Sequence, residues 1–220
     1  MDPLVERRNE ERERRRAEII DAAHRVAGEV GYDALTMDQV ARAARLSRGL
    51  LYVYFQDRVD LHLALCERAL GIFQAAAAAA VAREQTGLDR LLAIGRSYVE
   101  FAAAEPVYFE AMARFEASPG SLSEAEGNMP ACLAASARIF DLIVGFIDEG
   151  VRDGSVSPTL GAPRSIAIAL WALMHGAVQI ARMKPGVLES QGVAPAELTD
   201  QVMRIAAVAL ADTGPAEQPP

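Results

Sequence analysis

Apolar residues along this chain recur at every third and fourth position and rarely alternate with polar ones, which is the spacing of amphipathic helices rather than of half-buried strands. With proline and glycine as punctuation, the pattern predicts an all-α chain of about nine helices. They run over Glu10 to Val30, Met37 to Ala44, Arg48 to Phe55, Arg58 to Arg83, Leu88 to Ala104, Pro106 to Glu116, Ala125 to Arg152, Pro163 to Met183 and Pro195 to Ala211. Pro106, Pro163 and Pro195 suit first-turn positions, while Gly31, Gly120 and the Asp153-Gly154 pair suit stops. Residues 118–130 and 185–194 read as loops. Residues 1–9 have little to bury and residues 213–220 are rich in proline and polar side chains, so a mobile arm and a disordered tail are expected. There is no internal repeat.

Composition narrows the class. Of 220 residues, 51% are hydrophobic and 42 are alanine, enough for a large core and in favour of helix. No uninterrupted apolar run approaches the roughly 20 residues of a membrane span, since even Ala75 to Ala82 lies between Gln74 and Arg83. A soluble protein without membrane partners is expected. The segment Met1 to Glu13 is charged and lacks the apolar stretch of a secretion signal, so the expected location is cytoplasmic. Cys66 and Cys132 are the only cysteines, too few and too far apart in sequence to read as a disulfide or zinc framework.

A formal charge of -8 excludes a generally basic nucleic-acid binder. The charge is uneven, however: residues 1–60 sum to -1 and residues 61–220 to -7, which permits local phosphate contact near the start. Within the run Arg12 to Arg16, the interleaved Glu10, Glu11, Glu13 and Glu18 favour a salt-bridged helix start over a DNA-reaching arm.

The densest signal is TMDQVARAARLSRGLLYVYFQDRVDL, residues 36–61. Thr36 and Gln39 have the spacing of a capping box that starts a short helix, and Ser47 caps a second one after a turn of a few residues. Val40, Ala41 and Ala44 give the first helix an apolar face where another could approach closely, with Leu46 and Leu51 filling the corner. Two short helices joined this way behind a longer one form a helix-turn-helix. The second helix offers Ser47, Arg48, Gly49 and Leu50 in its first turn, then Tyr52 and Tyr54, with Arg58 opening the next helix. Arg48 can read base edges and the tyrosine hydroxyls can reach phosphates. Helix-start amides at Thr36, Ser47 and Arg58 also favour phosphate.

Thr36, Val40-Ala41, Ala44, Leu46-Ser47, Gly49, Leu51-Tyr52, Tyr54-Phe55, Arg58 and Leu61, with Ile20-x-x-Ala23 and Gly31-Tyr32 upstream, resemble the DNA-binding segment of tetracycline-repressor-like (TetR) regulators. The resemblance covers residues 15–65. Arg45 stands where that family usually has a turn glycine, and Arg58 replaces its usual lysine. A left-handed Arg45 would cost on the order of 1 kcal/mol and could add a DNA contact. The resemblance implies a helix-turn-helix domain over residues 1–57 and a helical ligand-binding and dimerisation domain over residues 58–212. It also implies a repressor that binds a double-stranded, palindromic operator as a homodimer and is released by a small-molecule effector.

Motif content falls away beyond Leu61. Tyr98, Phe101, Tyr108, Phe109, Met112, Phe115, Phe140, Trp171, Met174 and His175 could line an aromatic cavity, although each alone reads more readily as an ordinary core residue. The resemblance favours a ligand pocket here, with Arg96, Arg114 and His175 as polar anchors and an apolar or cationic effector. In the last two long helices, Leu170, Leu173, Met174, Val202 and Ile205 form apolar faces. Ala169, Ala172, Gly176, Ala206 and Ala209 allow close approach along them. These faces suit an internal core or a two-fold interface, and the resemblance favours the interface.

Enzyme chemistry has little to stand on. Of the Glu-x-x-His pattern of ferritin-like sites only Asp21-x-x-His24 is near, and His62 with Cys66 is a weak metal pair. No catalytic residue, metal site or cofactor is assigned; the alternative readings are an all-α metal or carboxylate enzyme and a helical adaptor that does not bind DNA.

Overall fold

The computed structural model describes residues 3–117 and 127–212. Ten helices follow in order: α1 (Pro3–Val30), α2 (Met37–Ala43), α3 (Arg48–Tyr54), α4 (Arg58–Val81), α5 (Gly87–Ala104), α6 (Pro106–Ala117), α7 (Met129–Asp153), α8 (Pro163–Met183), α9 (Pro185–Ser190) and α10 (Pro195–Leu210). Apart from one isolated bridge between Val156 and Ala211, the described residues contain no β-pairing. The all-α expectation holds. The expected tail at residues 213–220 and most of the expected loop at residues 118–130 lie outside the described residues.

Three element boundaries differ from expectation for local reasons. α1 starts at Pro3 rather than Glu10, because proline is tolerated in a first turn and the following charges support one another. Arg14 pairs with Glu11, and Arg15 pairs with Glu18 at 2.6 Å, supporting the turns that follow; residues 3–9 are helical although Leu4 and Val5 bury little. The segment expected as a loop after Lys184 contains α9, whose first-turn Pro185 is pre-set for helix. It stops at Gly192 (φ 70°), where Val193 N–H donates to the Leu188 carbonyl. α7 begins at Met129, later than Ala125.

The chain divides into two compact units. The first comprises residues 1–71 and 105–135, the second residues 72–104 and 136–220, so α6 groups with the N-terminal helices. Within the first unit, Ile19 and Ile20 of α1, Val40 of α2, Leu51 and Phe55 around α3, Leu61 and Leu65 of α4 and Phe109 of α6 are almost wholly buried. Apolar contact among these side chains orients the short helices, which could not persist alone at seven residues each. In the second unit, α5, α8 and α10 pack around Tyr98, Phe101, Met174, Val178, Val202 and Leu210. Gly87 lets α5 start against α7, since a Cβ there would fall 2.2 Å from the Gly150 nitrogen.

Averaged over a helix, α4, α7 and α8 are long and apolar enough to cross a membrane, contrary to what the uninterrupted runs suggested. The difference arises because scattered polar residues interrupt each run without lowering its mean hydropathy. In α4, 39% of the apolar window is buried, but in α8 only 22%, so α8 keeps much apolar surface uncovered.

Candidate nucleic-acid interface

The Thr36–Gln39 capping box forms as expected: the Gln39 amide donates to Thr36 Oγ1 at 3.3 Å, and the Thr36 amide donates to Gln39 Oε1 at 2.7 Å. The turn after α2 is a Schellman closure, with Arg45 N–H donating to the Arg42 carbonyl and Leu46 N–H to the Ala41 carbonyl at 2.8 Å. Such a closure needs a left-handed residue, and Arg45 supplies it at φ 57°. Arg45 is the sole non-glycine residue with positive φ among the described residues. Ser47 then caps α3 by accepting from the Leu50 amide at 3.2 Å.

Helix α3 is thereby fixed with one face inward and one outward. Leu51 and Phe55 are buried, while Ser47, Arg48, Gly49, Leu50 and Tyr52 are exposed and Tyr54 is half-buried. Val53, which sequence reasoning passed over, is 67% exposed on that outward side. Its signal was available, since the position opposite two core residues on a short helix must face out. Arg48 is held extended by Asp38 of α2 at 3.3 Å and lies over the Tyr52 ring at 5.6 Å. Arg58 at the start of α4 is exposed and donates to the Asp33 carbonyl at 3.4 Å. Thr36, Arg45, Ser47, Arg48, Gly49, Leu50, Tyr52, Tyr54 and Arg58 therefore all fall on or beside the α2–α3 pair. A cleft of about 480 Å³ borders the end of α3, lined by Arg12, Arg16, Tyr52, Tyr54 and Gln56 among others.

A polar cluster gathered around the buried Asp60 behind α3 was not legible in the sequence. Asp57 caps α4 by accepting from the Asp60 amide at 2.8 Å, and Asp60 Oδ2 accepts from the Gln56 amide at 3.0 Å. The other Asp60 oxygen accepts from both the amide and the side chain of Asn128, each at 2.8 Å. Arg16 completes the cluster, donating to Asn128 Oδ1 at 2.6 Å and pairing with Glu67 at 3.1 Å. Gly127 passes so close that a Cβ there would lie 2.3 Å from Asp60 Oδ1. The end of α3 and the first turn of α4 are thus tied to α1 and to the turn before α7.

The aromatic residues expected to form one cavity divide between the two units. In the second, Tyr98 and His175 share a 2.7 Å hydrogen bond and Trp171 meets Phe140 edge-on at 5.9 Å. Phe101 there lies 5.7 Å from Phe73, which also contacts Tyr98. In the first unit Tyr108 stacks on His24 at 4.2 Å, Phe109 and Met112 are buried, and Phe115 is half-buried. Among the expected anchors, Arg114 grips Asp33 through two hydrogen bonds at 2.8 and 3.1 Å. That guanidinium holds the Asp33 carboxyl below the usual range. Arg96 pairs with Glu84. His62 meets the Tyr32 ring edge-on, and its buried Nε2 has no hydrogen-bond partner.

The expected dimer residues need one correction. Val202 and Ala206 are only 7% and 8% exposed, packed inside the protomer, so they do not belong to an outer face. Ala169, Ala172, Leu173 and Ala209 are exposed, and Leu170 and Gly176 are half-buried. Ile205, expected on this surface, is exposed as well, and the surface also includes Ile168 and Ile180 of α8 and Val208 of α10, which the sequence did not single out. Alternation around a helix fully apolar on two sides does not say which side faces in.

Two capped short helices in a tight turn, with an exposed outward face carrying Arg48 and Tyr52 on the second and a long helix behind, define a helix-turn-helix DNA-binding module. The family model described as bacterial regulatory proteins, tetR family, matches residues 19–65, and that of the tetracyclin repressor-like C-terminal domain matches residues 91–206. The chain belongs to the tetR family, whose members are regulators of transcription. Relatives include the HTH-type transcriptional regulator HbdR of Aromatoleum sp. (strain CIB), 47% identical over 49 residues, which are 22% of this chain and 21% of that protein. The HTH-type transcriptional regulator BetI of Rhizobium meliloti (strain 1021) is 37% identical over 82 residues, 37% of this chain and 40% of BetI. The matched segments thus span less than half of these curated relatives. A structure of a protein with unknown function from Rhodococcus sp. RHA1 superposes with TM-score 0.71 at 27% identity, covering 90% of this chain and 95% of that one. The regulator FadR from Bacillus subtilis in complex with stearoyl-CoA superposes with TM-score 0.68 at 18% identity, covering 88% and 98%.

Proposed function

We propose that this protein is a cytoplasmic repressor that binds a palindromic operator as a homodimer and is released by a small-molecule effector. The observation that carries the reading is the outward face of α3, where Ser47, Arg48, Leu50, Tyr52 and Val53 stand exposed over a buried Leu51 and Phe55. Arg48 reads a base edge, Val53 and Leu50 suit a thymine methyl, and Thr36, Tyr52, Tyr54 and Arg58 hold phosphates. Arg45 points its charge from the turn as a further backbone contact. The dimer forms through the exposed faces of α8 and α10, and its two-fold axis sets two half-sites about one helical turn apart.

The effector is apolar or cationic. Support comes from the aromatic contacts around Tyr98, Phe101, Phe140, Trp171 and His175 and from the net negative charge of residues 61–220. Bacillus subtilis FadR, similar in fold, was solved with stearoyl-CoA, whose acyl chain is apolar although its coenzyme A half is anionic, so it supports only the apolar part of this reading. Electrophoretic mobility shifts with the region upstream of the protein's own coding sequence test the DNA reading. A retarded band abolished by high salt and by specific competitor is expected; equal competition by unrelated DNA overturns operator recognition.

A further inference from the structure

Cys66 and Cys132, the chain's two cysteines, are 66 positions apart, yet helix packing brings their sulfurs to 3.1 Å. Both belong to the first compact unit, Cys66 in the third turn of α4 and Cys132 in the first turn of α7. Both are fully buried, and the Cys132 thiol donates to the Cys66 sulfur. Sequence reasoning saw no disulfide framework because nothing in the spacing foretells that these helices cross there. Two sulfurs this close need little backbone movement to bond.

We propose that Cys66 and Cys132 are a redox modification site, at which a peroxide-class oxidant closes a reversible disulfide that staples α4 to the start of α7. One thiol loses its proton and attacks a peroxide oxygen, giving a sulfenic acid and releasing water. The second thiol then displaces the sulfenic hydroxyl as water, forming the S–S bond. Overall two thiols and one hydrogen peroxide give one disulfide and two waters, the sulfurs losing two electrons and the peroxide gaining them. A dithiol reductant reverses the step by exchange.

Burial determines how the site works. A buried thiol meets only a small oxidant, and only when the helices open locally, so the pair responds to sustained oxidation and is silent in a reducing cytosol. Because the sulfurs already touch, the cross-link holds the helix arrangement described here. α4 begins at Arg58 beside the DNA-facing helix, so the staple restrains the element that follows the reading head. The chemistry does not depend on whether the protein binds an operator.

The test uses the full chain, purified reduced, exposed to hydrogen peroxide, then unfolded and alkylated. The expected product is monomeric, takes up no alkylating label, weighs less by two hydrogens, and yields one non-reduced peptide joining Cys66 to Cys132. Its Tm rises by about 5 to 10 °C and returns with dithiothreitol. Cys132→Ser should abolish the Tm rise. Alkylation of both cysteines after peroxide, separate oxidation without a link, or covalent dimers would each overturn the proposal. The mass measurement on the unmutated chain decides the matter even if a variant fails to fold.

Discussion

Arg48 and Arg58 stand ten residues apart on the same surface and do different things in this account. Arg48, aligned by Asp38 and the Tyr52 ring, is the residue proposed to read a base edge. Arg48→Ala should therefore narrow the gap between operator and random DNA by about 1 to 3 kcal/mol. Arg58→Ala should weaken both DNAs alike and lower the slope of log affinity against log salt by about 1, as expected for one lost phosphate contact. Fluorescence anisotropy on both duplexes at several salt concentrations separates the two roles, and equal losses for Arg48→Ala would move it to the backbone class. Arg45 carries a conformational cost at φ 57° that glycine would not. Arg45→Gly should raise stability by about 1 kcal/mol, a Tm gain of about 2 to 4 °C. A fall in Tm would mean that the arginine side chain makes a compensating contact. His62 adds a pH dependence, since burial, followed by the charges of Arg114 and Arg58, lowers its pKa to about 4. The imidazole stays neutral in the folded chain and takes a proton on unfolding below about pH 6.5, so its share of stability is complete above that pH and lost as the pH falls toward 4. Between pH 7.5 and 5 the loss is about 2 kcal/mol, and His62→Leu should flatten that part of the urea-midpoint profile. An unchanged profile in the variant would place the dependence elsewhere.

At the level of elements, the reading helix is only as well placed as the cluster behind it. Asp60→Ala would leave the Gln56 and Asn128 amides without their acceptor, costing about 1 to 3 kcal/mol and loosening the α3–α4 joint. Hydrogen exchange should then quicken at residues 54–61 more than in α5 or α10; uniform exchange would show that the cluster is not a local brace. This brace also marks where sequence reading stopped. The α2–α3 pair was legible because its determinants are local: a capping box three residues apart, a serine cap, and two core positions on a short helix. The Asp60–Asn128 contact joins residues 68 positions apart, and neither residue type announces a partner. The sulfur contact of Cys66 and Cys132 was hidden for the same reason. In α8 exposed and buried positions alike are apolar, so periodicity marks the helix without its orientation, and in α10 Val202 and Ala206 face inward where an outer face is expected.

Across the whole molecule, the proposed dimerisation and effector release would convert the helix-turn-helix into a switch. Ala172→Arg or Val208→Glu, on the exposed faces of α8 and α10, should yield folded monomers that lose tight operator binding, as judged by sedimentation and circular dichroism. Ala206→Glu should instead unfold the protomer, because that side chain is buried. A folded dimer from Val208→Glu would refute this interface. Trp171→Ala should weaken effector response while leaving ligand-free DNA binding nearly intact, and a hundredfold release corresponds to about 2.7 kcal/mol of coupling, which operator DNA must impose equally on effector binding. The central claim, that the α2–α3 pair of a dimer reads a specific DNA sequence, is tested most directly by selecting bound duplexes from a random library and measuring the winner against a scrambled control. An inverted repeat bound at least about a thousandfold more tightly than the control is expected, with Arg48→Ala eroding that ratio. A library from which no sequence is enriched, with the same affinity for every duplex, would contradict it.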